Sequence, residues 1–201
     1  GRGRTADDHG CAVGREPAPD VPGPAGGREL VVDLGKDIGF PQWVFGETCF
    51  ALLDDGRVVL RYSEGGLDRL AVWRPADGAV VDLDVPHTSV DDLQGMGSAI
   101  VYVAASPTVE PHVVRVPVED DQAGAVEVVV PPRDLGLDPR WFSVPEPVDF
   151  PTTGGQTAHA LLCRPTNPDV SAPDGERPPL LVMIHGGPTS AARPMLQLAK
   201  Q

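Results

Sequence analysis

The residues of this chain with the clearest chemical potential lie near its end, at His185-Gly186-Gly187-Pro188-Thr189. Two glycines in succession permit a turn that no side chain obstructs, so a main-chain N–H can come close to another molecule. Such an N–H is a donor for the negative oxygen that develops on a carbonyl when a nucleophile adds to it in acyl transfer. Pro188 has no N–H, which leaves Gly186 and Gly187 as the candidate donors, with Gly187 favoured. His185 and Pro188 then serve as supports on either side of the pair. The competing reading is plainer: a tight turn after a core strand, with no chemistry attached.

A donor of this kind has to be held by regular structure on both sides. Before it, Pro178-Pro179 leads into Leu180-Leu181-Val182-Met183-Ile184, five apolar residues in a row. This run reads as a short strand buried on both faces, of the type found inside a parallel sheet. After it, Pro194 to Gln201 reads as a helix with Pro in its first turn, and Ser190 suits its N-cap.

Bulk properties narrow the classes open to the chain. It has 201 residues, 41% of them hydrophobic, enough for one large domain or two small ones. Sixteen basic residues against 29 acidic ones give a net charge of −13, which argues against nucleic acid and anionic membranes as partners. Only Lys36 and Lys200 are lysines; with the wealth of Ala, Gly, Pro, Val and Asp, this fits a high-GC coding bias. Cys11, Cys49 and Cys163 show no metal-ligand spacing and read as incidental thiols, mildly favouring a reducing compartment and a cytoplasmic location. No apolar run approaches the roughly 18 residues of a membrane span. The first residue is Gly, so a native N-terminus and any leader are expected to be missing.

In chain order, residues 1–28 lack apolar periodicity and read as a disordered or remnant segment. Glu29 to Leu34 is the first expected strand. From Cys49 a meander of four short strands is expected, at 49–53, 57–62, 69–73 and 79–83, with a hairpin signal at Asp54-Asp55-Gly56. A second set is expected near 90–94, 98–105, 112–116 and 125–130. Corresponding strands recur after 41 to 46 residues, the size of one four-stranded β-propeller blade. Residues 29–132 are thus expected to form about two blades, with an antiparallel sandwich as the competing arrangement. His87 and His112 stand apart from any second His, Cys or paired carboxylate in sequence, so no ligand role is assigned to them. Trp43, Phe45, Trp73 and Tyr102 are expected to pack between the repeats. Residues 133–146 read as a linker, and 147–150 and 157–165 as a hairpin around Thr152-Thr153-Gly154-Gly155-Gln156. The Pro- and Asp-rich stretch 166–179 reads as a surface loop.

This order of segments, together with Ser143 to Gly155 and His185-Gly186-Gly187-Pro188-Thr189, resembles the prolyl oligopeptidase family of serine peptidases, peptidase family S9. Within that family it is most similar to the acylaminoacyl-peptidase and dipeptidyl-aminopeptidase-like bacterial members, from about Phe40 to Gln201. The resemblance implies a mainly β fragment: C-terminal blades of a β-propeller, then, at 147–201, the first strands, oxyanion loop and first helix of an α/β-hydrolase domain. It implies an oligopeptide substrate, hydrolysis through an acyl-enzyme and no metal or cofactor, and it leaves oligomerisation of the parent open. In that fold the triad follows in the order Ser, acid, His, downstream of the oxyanion loop. None of the seven serines here is centred in G-x-S-x-G, and His185 lies too early to be the base. The chain by itself is therefore expected to be inactive and, with open sheet edges, poorly stable. An esterase or lipase of the same fold and a non-enzymatic β-propeller interaction module are the alternatives.

Overall fold

The computed structural model describes residues 30–40, 44–186 and 190–200. The segment 1–28 lies outside the described residues, as do Trp43, Gly187, Pro188 and Thr189. The chain is mainly β, built of open sheets with no closed barrel among the described residues.

The first sheet is an antiparallel meander of β1 (Phe50–Leu52), β2 (Val58–Glu64), β3 (Leu67–Trp73) and β4 (Val80–Leu83), in that order. Its hairpin turns fall at the expected Asp-Gly and Gly-Gly pairs; Gly56, Gly65, Gly66 and Gly78 all have positive φ. The second sheet holds β5 (Ser89–Met96), β6 (Ala99–Ser106) and β7 (Val109–Glu119), followed by the short β8 (Gln122–Ala123). A further strand, β9 (Glu127–Val130), pairs with β7 and lies wholly exposed.

Alternation along the strands decides what each face meets. In β2 and β3, Val59, Leu70 and Val72 join β6 and β7 residues Ile100, Tyr102, Val114, Val116 and Val118 in one core shared by both sheets. Each fully buried Val or Leu there contributes roughly 1.5–3 kcal/mol of transfer free energy. The opposite face of the first sheet, with Val58, Leu60, Tyr62 and Ala71, is covered by Ile38, Cys49 and the partly buried Val32, Leu34 and Phe40. Residues 30–34 therefore cover a sheet without forming the expected strand; a single bridge, Asp37 to Ser63, ties the described part of this segment to β2. Tyr102 is fully buried in the core shared by both sheets, as expected; Trp73 is half-buried on the opposite face of the first sheet and not between the sheets, and Phe45 is 95% exposed.

Two features set how the sheets meet. A bulge between Asp91 and Gln94, with Asp92 at φ 50°, turns Leu93 into the core where strict alternation would have placed an aspartate. Just beyond it Gly95 lies against β1, where a Cβ would fall 1.9 Å from the Leu52 carbonyl oxygen. Only a glycine fits that approach. At the end of β7, Asp121 accepts from Arg57 Nη1 at 3.0 Å and Arg74 Nη1 at 2.5 Å, bridging the two sheets.

Beyond the sheets, a 3₁₀ turn at Pro139–Trp141 precedes a separate hairpin of β10 (Glu146–Pro151) and β11 (Thr157–Leu162). The last third departs from expectation. Leu180–Ile184 belongs to no sheet and its five side chains are 57–88% exposed. A strand needs neighbours for its N–H and C=O groups, and none of the described strands lies beside it. Pro194–Lys200 contains turns but no α-helix, so Ser190 caps none. Its backbone is instead committed to the second sheet, the Leu196 N–H donating to the Ser106 carbonyl at 2.8 Å, and a run this short does not sustain a helix on propensity alone.

Candidate functional site

The glycine loop is entered from the exposed run Leu180–Ile184, and His185 at its start is exposed too. The His185 ring donates from Nδ1 to the Gly186 carbonyl at 3.2 Å, a local bond that ties the ring to its own loop. A Cβ on Gly186 would meet none of the described residues within 4 Å. Gly187 and Pro188 lie outside the described residues.

The residues downstream of the loop are held firmly. Arg193 donates from Nη2 to Ser89 Oγ at 2.7 Å and to Asp68 Oδ2 at 3.3 Å, and its Nη1 lies 2.8 Å from Asp91 Oδ1. Burial pushes this guanidinium toward losing its proton, but Asp91 and Asp68 outweigh that and hold its pKa above the ordinary arginine value. Asp68, almost fully buried at the start of β3, also accepts from Arg61 and from the Val90 N–H at 2.9 Å. Arg61 in turn donates to the Gly39 carbonyl and lies over the Phe40 ring at 4.3 Å. Two cations face two carboxylates in a place largely closed to water, where pairing is the condition for burial. The chain then continues along the second sheet: Thr88 Oγ1 donates to the Pro194 carbonyl at 2.6 Å, and the Leu196 N–H to the Ser106 carbonyl at 2.8 Å.

A second cluster joins residues that stand far apart in the sequence. His87 and His112 have ring centroids 5.7 Å apart, and His87 Nδ1 lies 2.8 Å from Tyr102 Oη. This corrects the reading of the two histidines as isolated. Both are buried; His112 donates from Nδ1 to the Glu110 carbonyl. Burial first, and His112 second, hold the His87 pKa below the usual histidine value, and burial raises that of Tyr102. A signal was available for half of it, since His112 shares the parity of Val114, Val116 and Val118 along β7. Nothing in the sequence marks Asp68, Ser89 and Asp91 as partners of Arg193.

A cleft of about 400 Å³ opens beside β2 to β4, lined by Tyr62, Glu64, Asp68, Arg69, Asp82 and Asp84 among others. Burial, with Asp82 beside it, pushes the Tyr62 phenol up to about 12. Neither His185 nor Gly186, the described residues of the glycine loop, lines this cleft.

Solved structures similar to this chain include members of one class, peptidases. One is a puromycin-hydrolysing peptidase of Mycobacterium tuberculosis, 31% identical with a TM-score of 0.76, over 85% of this chain and 26% of that one. Another is a puromycin hydrolase, 29% identical with a TM-score of 0.75, over 85% of this chain and 25% of the other. A mutant puromycin hydrolase complexed with PGG is also 29% identical, with a TM-score of 0.74, over 84% of this chain and 25% of that one. The chain thus spans about a quarter of the length of these proteins. No family model and no curated protein matches it.

Proposed function

We propose that this chain is a piece of a serine peptidase of the prolyl oligopeptidase kind. Residues 29–132 would be two late blades of a β-propeller, 133–146 a linker, and 147–201 the opening of an α/β-hydrolase domain. The observation that carries this is the 31% identity and TM-score of 0.76 to a puromycin-hydrolysing peptidase, over 85% of the chain. A four-stranded meander, a five-stranded sheet after it and then the glycine loop follow one another in the order this reading requires.

In the complete protein a serine from beyond the glycine loop adds to the substrate carbonyl and gives up its proton to a histidine base. The Gly187 N–H, with Gly186, donates to the oxygen that takes up the charge; the amine leaves with the proton and water releases the acyl group. Loss of one such donor costs about 3 kcal/mol of transition-state stabilisation. The substrate class is oligopeptides, and puromycin, whose amide joins an amino acid to an aminonucleoside, is the first probe.

The test is to read the gene past codon 201 and express the continuous frame. A frame that supplies G-x-S-x-G and then an acid and a histidine, with a product that hydrolyses puromycin and is labelled by a fluorophosphonate, is expected. A stop codon soon after Gln201, or a frame without the serine motif, would remove the enzyme reading.

A further inference from the structure

Three consecutive residues at the entry to β5 join two features of the second sheet that are otherwise separate. His87 belongs to the buried ring cluster: its Nδ1 lies 2.8 Å from Tyr102 Oη on β6, and its ring centroid is 5.7 Å from that of His112 on β7. Thr88 and Ser89 hold a stretch more than a hundred positions downstream. Thr88 Oγ1 donates to the Pro194 carbonyl at 2.6 Å, and Ser89 Oγ accepts from Arg193 Nη2 at 2.7 Å. The Thr88 main chain is bonded to both sheets, its N–H donating to the Ala105 carbonyl at 3.1 Å and its carbonyl accepting from the Asp68 N–H at 3.0 Å. A shift of His87 therefore strains the bonds of Thr88 directly.

The surroundings of His87 suit a neutral ring. Nδ1 of a neutral imidazole can accept from the Tyr102 hydroxyl, whereas imidazolium carries a proton on both nitrogens and turns that acceptor into a donor. The titratable groups that face the ring are Tyr102 and His112. Among the described residues no carboxylate forms an ion pair with His87: Asp68 and Asp91 are turned to Arg193, and Glu110 to Arg133. A buried cation with no counter-charge is relieved by moving into water.

We propose that residues 87–89 form an acid-sensitive clasp, in which a proton on His87 draws its loop away from the ring cluster and loosens the hold of Thr88 on Pro194. The stretch from Arg193 to Leu196 is then fastened to the second sheet at neutral pH and loosened on acidification, whatever the chemistry of the glycine loop. Once released, His87 recovers the ordinary histidine value of about 6.5, while in the clasp burial and His112 hold it lower. The released form thus takes the proton first, and each pH unit below about 6.5 favours release by up to about tenfold.

Hydrogen exchange at the Leu196 amide, which donates to the Ser106 carbonyl, reads the clasp. Corrected for intrinsic exchange rates, Leu196 protection should fall about 3- to 10-fold from pH 7.5 to 5.5, while that of Ile100 in β6 holds. His87→Gln, uncharged at both pH values, should abolish the fall. No fall in the parent chain, or an equal fall in His87→Gln, overturns the proposal. Thr88→Val gives a check that does not depend on the folding of the His87 variant. Clasp and proton act on each other reciprocally, so loss of the Thr88 to Pro194 bond should lower Leu196 protection at pH 7.5 and raise the midpoint of the His87 titration followed by NMR. Unchanged Leu196 protection or an unmoved midpoint in Thr88→Val would show that ring and clasp are not coupled, and the proposal fails.

Discussion

Two apolar stretches of this chain, similar in composition, meet opposite fates. Val113-Val114-Arg115-Val116 lies in β7, with Val114 and Val116 fully buried, whereas Leu180–Ile184 leaves all five side chains exposed. Hydrophobicity does not separate them; partners do. β7 finds β6 through a tight turn and β9 a few residues later, so its hydrogen bonds close locally. A strand of the parallel type needs neighbours delivered by long crossovers, and the described residues contain none for 180–184. Apolar patterning predicts the demand for burial, while topology supplies it.

Substitutions can press on this contrast. The largest effect is expected at Gly95, where a side chain would collide with the Leu52 carbonyl. Gly95→Val should cost on the order of 4–5 kcal/mol, the exceptional range for a single change, read as a shift in urea midpoint by far-UV circular dichroism. A neutral result would mean that β1 and β5 do not meet as described. Leu70→Ala, in the core shared by both sheets, should come next at about 2–4 kcal/mol in the same urea titration.

The buried histidine pair sharpens the comparison through pH. The His87 pKa in the folded chain lies below its unfolded value of about 6.5, so the unfolded state binds the extra proton first. Stability is therefore full above that value and declines as pH falls below it toward the folded pKa. His87→Gln should flatten the slope of stability against pH in this window. An unchanged slope would assign the acid sensitivity elsewhere. The smallest effect is expected in the unpaired run. Ile184→Ser, at a position 88% exposed, should change the stability of the sheets by no more than about 0.5 kcal/mol. A loss of several kcal/mol there would show that the run is packed in solution.

The strands of both sheets were legible because short-range chemistry specifies them: β-branched residues on alternate positions, broken by Asp-Gly and Gly-Gly turns. The bulge at Asp92 was hidden, since Val90-Asp91-Asp92-Leu93 breaks the alternation that would have revealed which residue turns inward. Of the candidate site, the glycine pair was visible as a motif, but the anchoring of Arg193 downstream of it was not. Arg193 directly precedes the run, Pro194 to Gln201, whose composition speaks for a helix, and its carboxylate acceptors, Asp91 and Asp68, lie on the order of a hundred positions upstream, in strands that no local pattern links to it.

The sequence alone determined the class of element and the demand for burial along residues 50–130, together with a loop able to offer backbone donors. Local φ and ψ preferences and a period of two are enough for that. Only the tertiary structure decided that His87 meets His112, that β5 passes so close to β1 that Gly95 must be glycine, and that Arg193 is seated on Asp68. Each of these joins groups from different elements, and the free energy of such a meeting depends on distance and exclusion of water, which no local pattern encodes.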